Sequence, residues 1–150
     1  PENYESAIWF IENVIYELHE SFEFIVIGNN PPEKLLNYSS NRITITGFVD
    51  DISEYLKSSL CMVAPLLKGA GIKIKILEIM SSGIPVITND IGIEGIDAKK
   101  GVDFIYCEKK EEYINAINDF DNDNSYANKV GSNGKKFIQK TYKENDIGYL

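Results

Sequence analysis

Histidine, cysteine and clustered basic residues are scarce in this chain. Its 150 residues include one His and two Cys, and 23 acidic side chains outnumber 15 basic ones, for a formal net charge of −8. The single histidine, His19, falls near the C-terminal end of the first predicted helix, where partial positive charge suits the helix dipole better than it suits catalysis. Cys61 and Cys107 stand in apolar, strand-like runs with no C-x-x-C spacing and no His nearby in sequence. That pattern points to neither a zinc site nor a redox pair, and reads as two buried free thiols of a cytoplasmic protein. The lack of Lys/Arg clusters argues against nucleic acid as the main ligand. The longest apolar runs, such as Leu60 to Leu67, are far too short to cross a bilayer. The first residues, Pro1-Glu2-Asn3-Tyr4-Glu5, carry neither an initiator Met nor a signal-peptide pattern, and read as an internal cut.

What is present is the composition of one globular domain, 43% hydrophobic and 25% charged, long enough to bury a core without disulfides or a structural metal. Asn3 is placed to cap a helix in which Ala7, Ile8, Ile11, Val14, Ile15 and Leu18 recur at helical spacing, to about Glu20. Phe22 to Ile27 is a short apolar run closed by Gly28-Asn29-Asn30-Pro31-Pro32, which suits a buried parallel strand and its loop. A helical turn near Leu35 and Leu36 follows, then a β-branched strand from Arg42 to Gly47 and a capping-box candidate, Asp51-x-x-Glu54. Leu60 to Ala64 is another strand, Leu66 to Gly71 a loop, and the next helix stops at Gly83. Pro85 to Thr88 and Asp103 to Cys107 are strands separated by a long loop through Asp97. Two helices close the chain, Lys110 to Asp119 and Asn124 to Tyr142, with Gly131 and Gly134 weakening the last by roughly 1 kcal/mol each. Strands alternating with helices predict an α/β doubly wound, Rossmann-like parallel sheet with helices on both faces, and a ligand outside the strands' carboxyl ends.

The stretch Lys68-Gly69-Ala70-Gly71-Ile72-Lys73-Ile74-Lys75-Ile76-Leu77-Glu78-Ile79-Met80 carries the chemistry. Alternation of Ile72, Ile74 and Ile76 with lysines favours a strand, whereas Ile72, Ile76, Ile79 and Met80 on one face and the stop at Gly83 favour a helix; the helix is preferred. A helix opening just after Gly69-Ala70-Gly71 aims its N–H groups into that loop, where glycines let an anion approach the backbone, a seat for phosphate. Lys68 and Lys73 bracket it, and Glu78 offers a carboxylate to the paired hydroxyls of a ribose. The plainer alternative is a flexible loop, with Glu78 held by Lys75 as a surface pair. No G-x-x-x-x-G-K-[ST] is present. Gly69-Ala70-Gly71 matches only the start of G-x-G-x-x-G, although Asp90 lies at the distance of a ribose-binding acid; Ile74 stands where the third glycine belongs. Asn29 and Asn30 fit a ligand cleft and plain turn chemistry equally, and Glu94 fits either a donor-side contact or a solvated loop acid.

Taken in order, Gly47-Phe48-Val49-Asp50-Asp51, Val63-Ala64-Pro65-Leu66, the stretch Gly69 to Met80, Gly83-Ile84-Pro85-Val86-Ile87-Thr88 and Ile91-Gly92-Ile93-Glu94-Gly95 resemble the group 1 glycosyltransferases. The resemblance runs from about Asn3 to Tyr142. It implies the C-terminal half of a two-domain GT-B enzyme that binds a nucleotide-diphosphate sugar, without a metal ion and with retention at the anomeric carbon. A hexose would pass to a glycan or lipid-linked acceptor, the N-terminal domain supplying the rest of the machinery, so that residues 1–150 alone would be inactive. It further implies that Phe48 and Val49 meet the base, Gly69, Ala70, Gly71 and Ile72 the diphosphate, and Glu78 the ribose, with Gly28, Asn29, Asn30 and Glu94 near the cleft.

Two departures qualify that pattern. Most of the family has a donor-sugar glutamate where this chain has Ala70, a feature of the G-x-G-x-K-x-K branch. The family's domain also opens with a strand that is missing before Asn3 and would lie inside the sheet. Two half-sheets with unpaired edges then call for a separate piece of the protein or a second copy of the chain, as a homodimer. The intact enzyme would act in the cytoplasm, free or at the inner face of the membrane. From other classes, a non-transferase nucleotide- or dinucleotide-binding module and an inert interaction domain are the competing readings.

Overall fold

The computed structural model describes residues 2–142, with side chains from Tyr4 onward, so the predicted Asn3 cap lies outside the described side chains. Helix α1 (Glu2–Asn13) is followed by β1 (Phe24–Val26), α2 (Glu33–Leu36), β2 (Ile43–Ile45), α3 (Ser53–Lys57), β3 (Met62–Ala64) and α4 (Ile74–Ser81). Then come β4 (Val86–Thr88), α5 (Asp90–Ile93), β5 (Ile105–Tyr106), α6 (Lys110–Asn122) and α7 (Asn124–Thr141). All strand pairings are parallel. β1 pairs with β2 as one sheet, Ile25 opposite Thr44, and β3, β4 and β5 form a second in that order, Val63 opposite Ile87 and Ile87 opposite Ile105.

Alternating side chains put the strands into two apolar layers. Ile87, Val63, Ile105, Phe24 and Val26 join Phe10 and Ile11 of α1, Val14 just after it, and Tyr113, Ile117 and Phe120 of α6. Val86, Ala64, Met62 and Tyr106 turn the other way, onto Ile76, Leu77 and Met80 of α4 and Ile138 of α7. Covered on both faces, β4 is buried along its whole length, which is why its sequence is continuously apolar up to Thr88. Both sheets contribute to the α1/α6 layer, so one core spans them.

Several predicted elements differ in extent. α1 stops at Asn13 instead of running to Glu20, and the chain tightens into a 3-10 turn at Ile15–Glu17. The β-branched Val14 and Ile15 are both buried there, at a change of pitch that also brings Leu18 inward. Arg42 completes this end: its guanidinium donates to the carbonyls of Ile15 (2.9 Å), His19 (3.1 Å) and Phe22 (3.2 Å), tying the helix terminus to the start of β2. The Asp51-x-x-Glu54 capping box does not form. Asp51 Oδ1 instead accepts from the Ser53 N–H (3.0 Å) and hydroxyl (2.6 Å), which holds its carboxyl below the ordinary aspartate value, while Glu54 pairs with Lys57. A comparable cap appears at α6, where Glu112 Oε1 accepts from the N–H groups of Lys109 (2.7 Å) and Glu108 (2.9 Å). Cys107 is buried, but Cys61 is only half-buried, and desolvation pushes both thiols up to about 12.

Gly131 and Gly134 are packing residues. A Cβ at Gly131 would stand 2.1 Å from the Gly83 carbonyl oxygen, and one at Gly134 would stand 2.8 Å from that of Asp103. Their absence of side chains lets α7 rest directly on the backbone beyond α4 and before β5.

Candidate functional site

Parallel pairing sends the loops after β1 and β2 to one edge of their sheet, and those after β3, β4 and β5 to one edge of the other. The first turns of α1 join these two edges. The Tyr4 hydroxyl donates to the Asn29 carbonyl after β1, the Ser6 hydroxyl accepts from the Leu67 N–H (3.2 Å) after β3, and Glu5 lies 3.7 Å from Lys68. Loops from both sheets therefore meet at the start of α1, on the carboxyl ends of the strands, as the doubly wound pattern requires.

On the β1/β2 side, the Gly28 N–H donates to the Gly47 carbonyl (3.3 Å), drawing together the loops that carry Asn29, Asn30, Phe48 and Val49. Asn29 and Asn30 are exposed. Asn30 takes a left-handed conformation (φ +50°), one that Asn tolerates better than most side chains, so its turn chemistry is evident. Phe48 stands 68% exposed, a flat apolar surface at a loop tip, with Val49 half-buried beside it.

On the other side, Lys68, Gly69, Ala70, Gly71 and Ile72 are all exposed, and φ values of +128° at Gly69 and +83° at Gly71 explain the two glycines. The helix does not open directly after Gly71. α4 starts at Ile74, behind an extended Lys73 (φ −93°, ψ 102°), and Ile72 lies outside it, so the predicted face narrows to Ile76, Leu77, Ile79 and Met80. Ile72 packs instead over the next loop: a Cβ at Gly95 would sit 2.7 Å from its side chain.

That next loop, after β4, reaches the glycines. Lys73, only 16% exposed along its side chain, donates from Nζ to the carbonyls of Gly71 (2.7 Å) and Ile91 (2.9 Å), and lies 3.6 Å from Glu94. Glu94 Oε1 in turn accepts from the Gly71 N–H at 3.0 Å. Lys68 keeps to the rim, beside Glu5. Glu78, one turn into α4, is 21% exposed and lies 3.6 Å from Lys75, so the surface pair weighed against a ribose contact is formed here.

Sequence spacing does not disclose the residues that hold these loops. Buried Asn89 donates to the Leu66 carbonyl (2.8 Å) and accepts from the Gly92 N–H (3.0 Å), capping α5 and fixing the Glu94 loop to the base of the glycine loop. Thr88, also buried, donates to the Ala64 carbonyl (2.8 Å). At the end of β5, the Tyr106 hydroxyl lies between Glu108 and Asp90, with Lys100 3.7 Å over its ring; the Glu108 hydrogen bond, burial and Asp90 together raise its phenol. An Asn three residues before a Gly is too common a spacing to single out Asn89, and nothing in the sequence singles out Tyr4 or Ser6. Among the described residues, no helix is long and apolar enough to cross a membrane.

Residues 1–123 match the family described as group 1 glycosyl transferases. A 44.6 kDa protein of the cps region of Klebsiella pneumoniae is 24% identical over 95% of the chain and 40% of its own length. The fold superimposes on Anabaena HepE, solved in complex with UDP-glucose, with a TM-score of 0.79 and 17% identity over 92% of this chain and 41% of that one. It also superimposes on the C-terminal domain of the Francisella tularensis group 1 family protein LpcC, with a TM-score of 0.78 and 20% identity, over 92% of this chain and 80% of that one. The chain thus spans about two fifths of the Klebsiella relative and most of an isolated C-terminal domain.

Proposed function

Since the chain belongs to the group 1 glycosyl transferases, we propose that it is the donor-binding domain of a retaining enzyme that moves a hexose from a nucleotide-diphosphate sugar to a glycan or lipid-linked acceptor. One observation carries the reading: an exposed Gly-Ala-Gly loop at the strands' carboxyl ends, with a well-held lysine directly behind it. The Gly71 N–H and the Lys73 ammonium meet there, which is the chemistry a diphosphate needs. Phe48 offers its exposed ring to the base, and Glu78 a carboxylate to the ribose once it leaves Lys75. Lys73 and Lys68 answer the diphosphate's charge in place of a metal ion. HepE, of like fold, was solved with UDP-glucose, which supports a sugar nucleotide as ligand.

In this reading the domain binds and orients the donor. The loops form an open shelf, and the second wall, the acceptor site and any base come from the N-terminal domain of the intact protein, so the chain alone transfers no sugar. Free thiols fit a reducing cytoplasm, where the intact enzyme works in solution or at the membrane's inner face.

Calorimetric titration with UDP, GDP, UDP-glucose and NAD, on the wild type and on Glu78→Ala, tests this. The expected result is binding of one nucleoside diphosphate and its sugar, weakened about tenfold in the variant, on the scale of one hydrogen bond to a charged group. Binding of NAD alone would replace the reading with a dinucleotide module, and an unaffected Glu78→Ala would remove the ribose assignment.

A further inference from the structure

The groups assigned to the diphosphate are already engaged by a carboxylate of the chain itself. Glu94 Oε1 accepts from the Gly71 N–H at 3.0 Å and lies 3.6 Å from Lys73 Nζ. Lys73 cannot turn aside, because the carbonyls of Gly71 and Ile91 hold its ammonium. Glu94 is free to leave: its side chain is 51% exposed, and it follows the last residue of α5 in a short turn before Gly95. The base of that turn is fixed through Asn89, so only the Glu94 side chain would have to move to vacate the site. The Gly69-Ala70-Gly71 loop has no side-chain acceptor of its own, which makes Glu94 the carboxylate brought to this spot.

Resting on the donor-domain reading, we propose that Glu94 determines specificity for a sugar-bearing nucleotide over the bare nucleoside diphosphate. A diphosphate and a carboxylate cannot share the Gly71 N–H and Lys73, since both are anions within a few ångströms of one another. An incoming diphosphate displaces Glu94, which then loses its charge-assisted contacts. With UDP or GDP that loss stands uncompensated. With a sugar attached to the outer phosphate, the displaced carboxylate meets hydroxyl donors and recovers hydrogen bonds in place of those lost. The same exchange favours release of the spent nucleoside diphosphate once the sugar has gone.

The test compares Glu94→Ala and Glu94→Gln with the wild type, titrating UDP against UDP-glucose and GDP against GDP-mannose, with inorganic pyrophosphate as a probe lacking both base and sugar. Removing the carboxylate is expected to tighten the bare diphosphate and pyrophosphate by about tenfold, while the sugar nucleotide gains nothing or weakens, so the preference for the sugar form collapses. Glu94→Gln, uncharged yet able to accept one hydrogen bond, is expected to fall between. Bare-diphosphate affinity that stays level or drops in Glu94→Ala would overturn the proposal, as would an equal gain for both ligands. Its failure is separable from that of the parent reading, which fails when the wild type binds none of the nucleotides. Thermal melting of each variant checks that this half-exposed position leaves the fold intact.

Discussion

Tyr113 is a large residue buried without its polar end being satisfied. Its ring packs edge-on to Trp9 and Phe10 beneath α1, and its hydroxyl has no hydrogen-bond partner among the described residues. Burial is the main cause that raises its phenol, with the Cys107, Glu108 and Glu112 side charges adding to it. An unmet buried hydroxyl carries its desolvation cost with no return, so Phe is the better residue by this accounting. Tyr113→Phe is expected to leave stability unchanged or raise it by about 1 kcal/mol in urea unfolding. A loss of more than that would mean the hydroxyl has a partner, such as an ordered water, that matters to the fold. Glu94 and Lys73 make the opposite case at the same scale. The Glu94 carboxylate is half-exposed, so its ion pair with Lys73 contributes little to stability, and in the proposed exchange its worth lies in which anion the glycines accept.

At the scale of elements, α7 shows how tertiary packing overrules propensity. Gly131 and Gly134 weaken an isolated helix, yet both are buried, and each allows a close approach of backbone to backbone. Gly131→Ala would gain up to about 1 kcal/mol of helix propensity but would drive a methyl group to 2.1 Å from the Gly83 carbonyl oxygen. The expected result is a net loss of stability of about 2 kcal/mol, in the range of overpacked core substitutions, whereas a change at an exposed position of α7 such as Ser132→Ala serves as the control. A stabilised Gly131→Ala would show that α7 can slide away from α4. Elements built on local signals are legible in the sequence: the five strands are short apolar runs, four of them flanked closely by glycine or proline, and Gly83 marks the stop of α4, whose last residue is Ser81. The end of α1 is not, because Val14 and Ile15 keep the helical spacing while the chain changes pitch to bury them. α5 leaves no signal in the sequence, since four residues are too few to show a period. The Glu94–Gly71 contact joins residues 23 apart, a distance at which no spacing rule operates.

For the whole molecule, alternation of strands and helices was enough to anticipate a doubly wound sheet, and the break in it into two sheets has a physical consequence. β1 pairs only with β2 and β3 only with β4 among the described strands, so each keeps an edge of backbone N–H and carbonyl groups without a ladder partner. Both sheets nevertheless pack on one α1/α6 layer, which holds those edges within the same core-lined face. Unpaired edges of this kind template pairing with another strand. For the 150-residue chain alone, a second copy offers such a strand, and the expectation is concentration-dependent dimerisation. A net charge of −8 opposes it, since two such chains repel at long range. Salt shortens that reach, from about 30 Å at 0.01 M to about 8 Å at 0.15 M, so the dimer should gain population between those two conditions in multi-angle light scattering. Pairing through backbone edges depends little on charge once contact is made, and a salt-induced dimer would separate this cause from an ion-paired interface, which salt weakens. A monodisperse monomer at both salt concentrations, up to the highest protein concentration reached, would mean that α1 and its flanking loops already shield the edges.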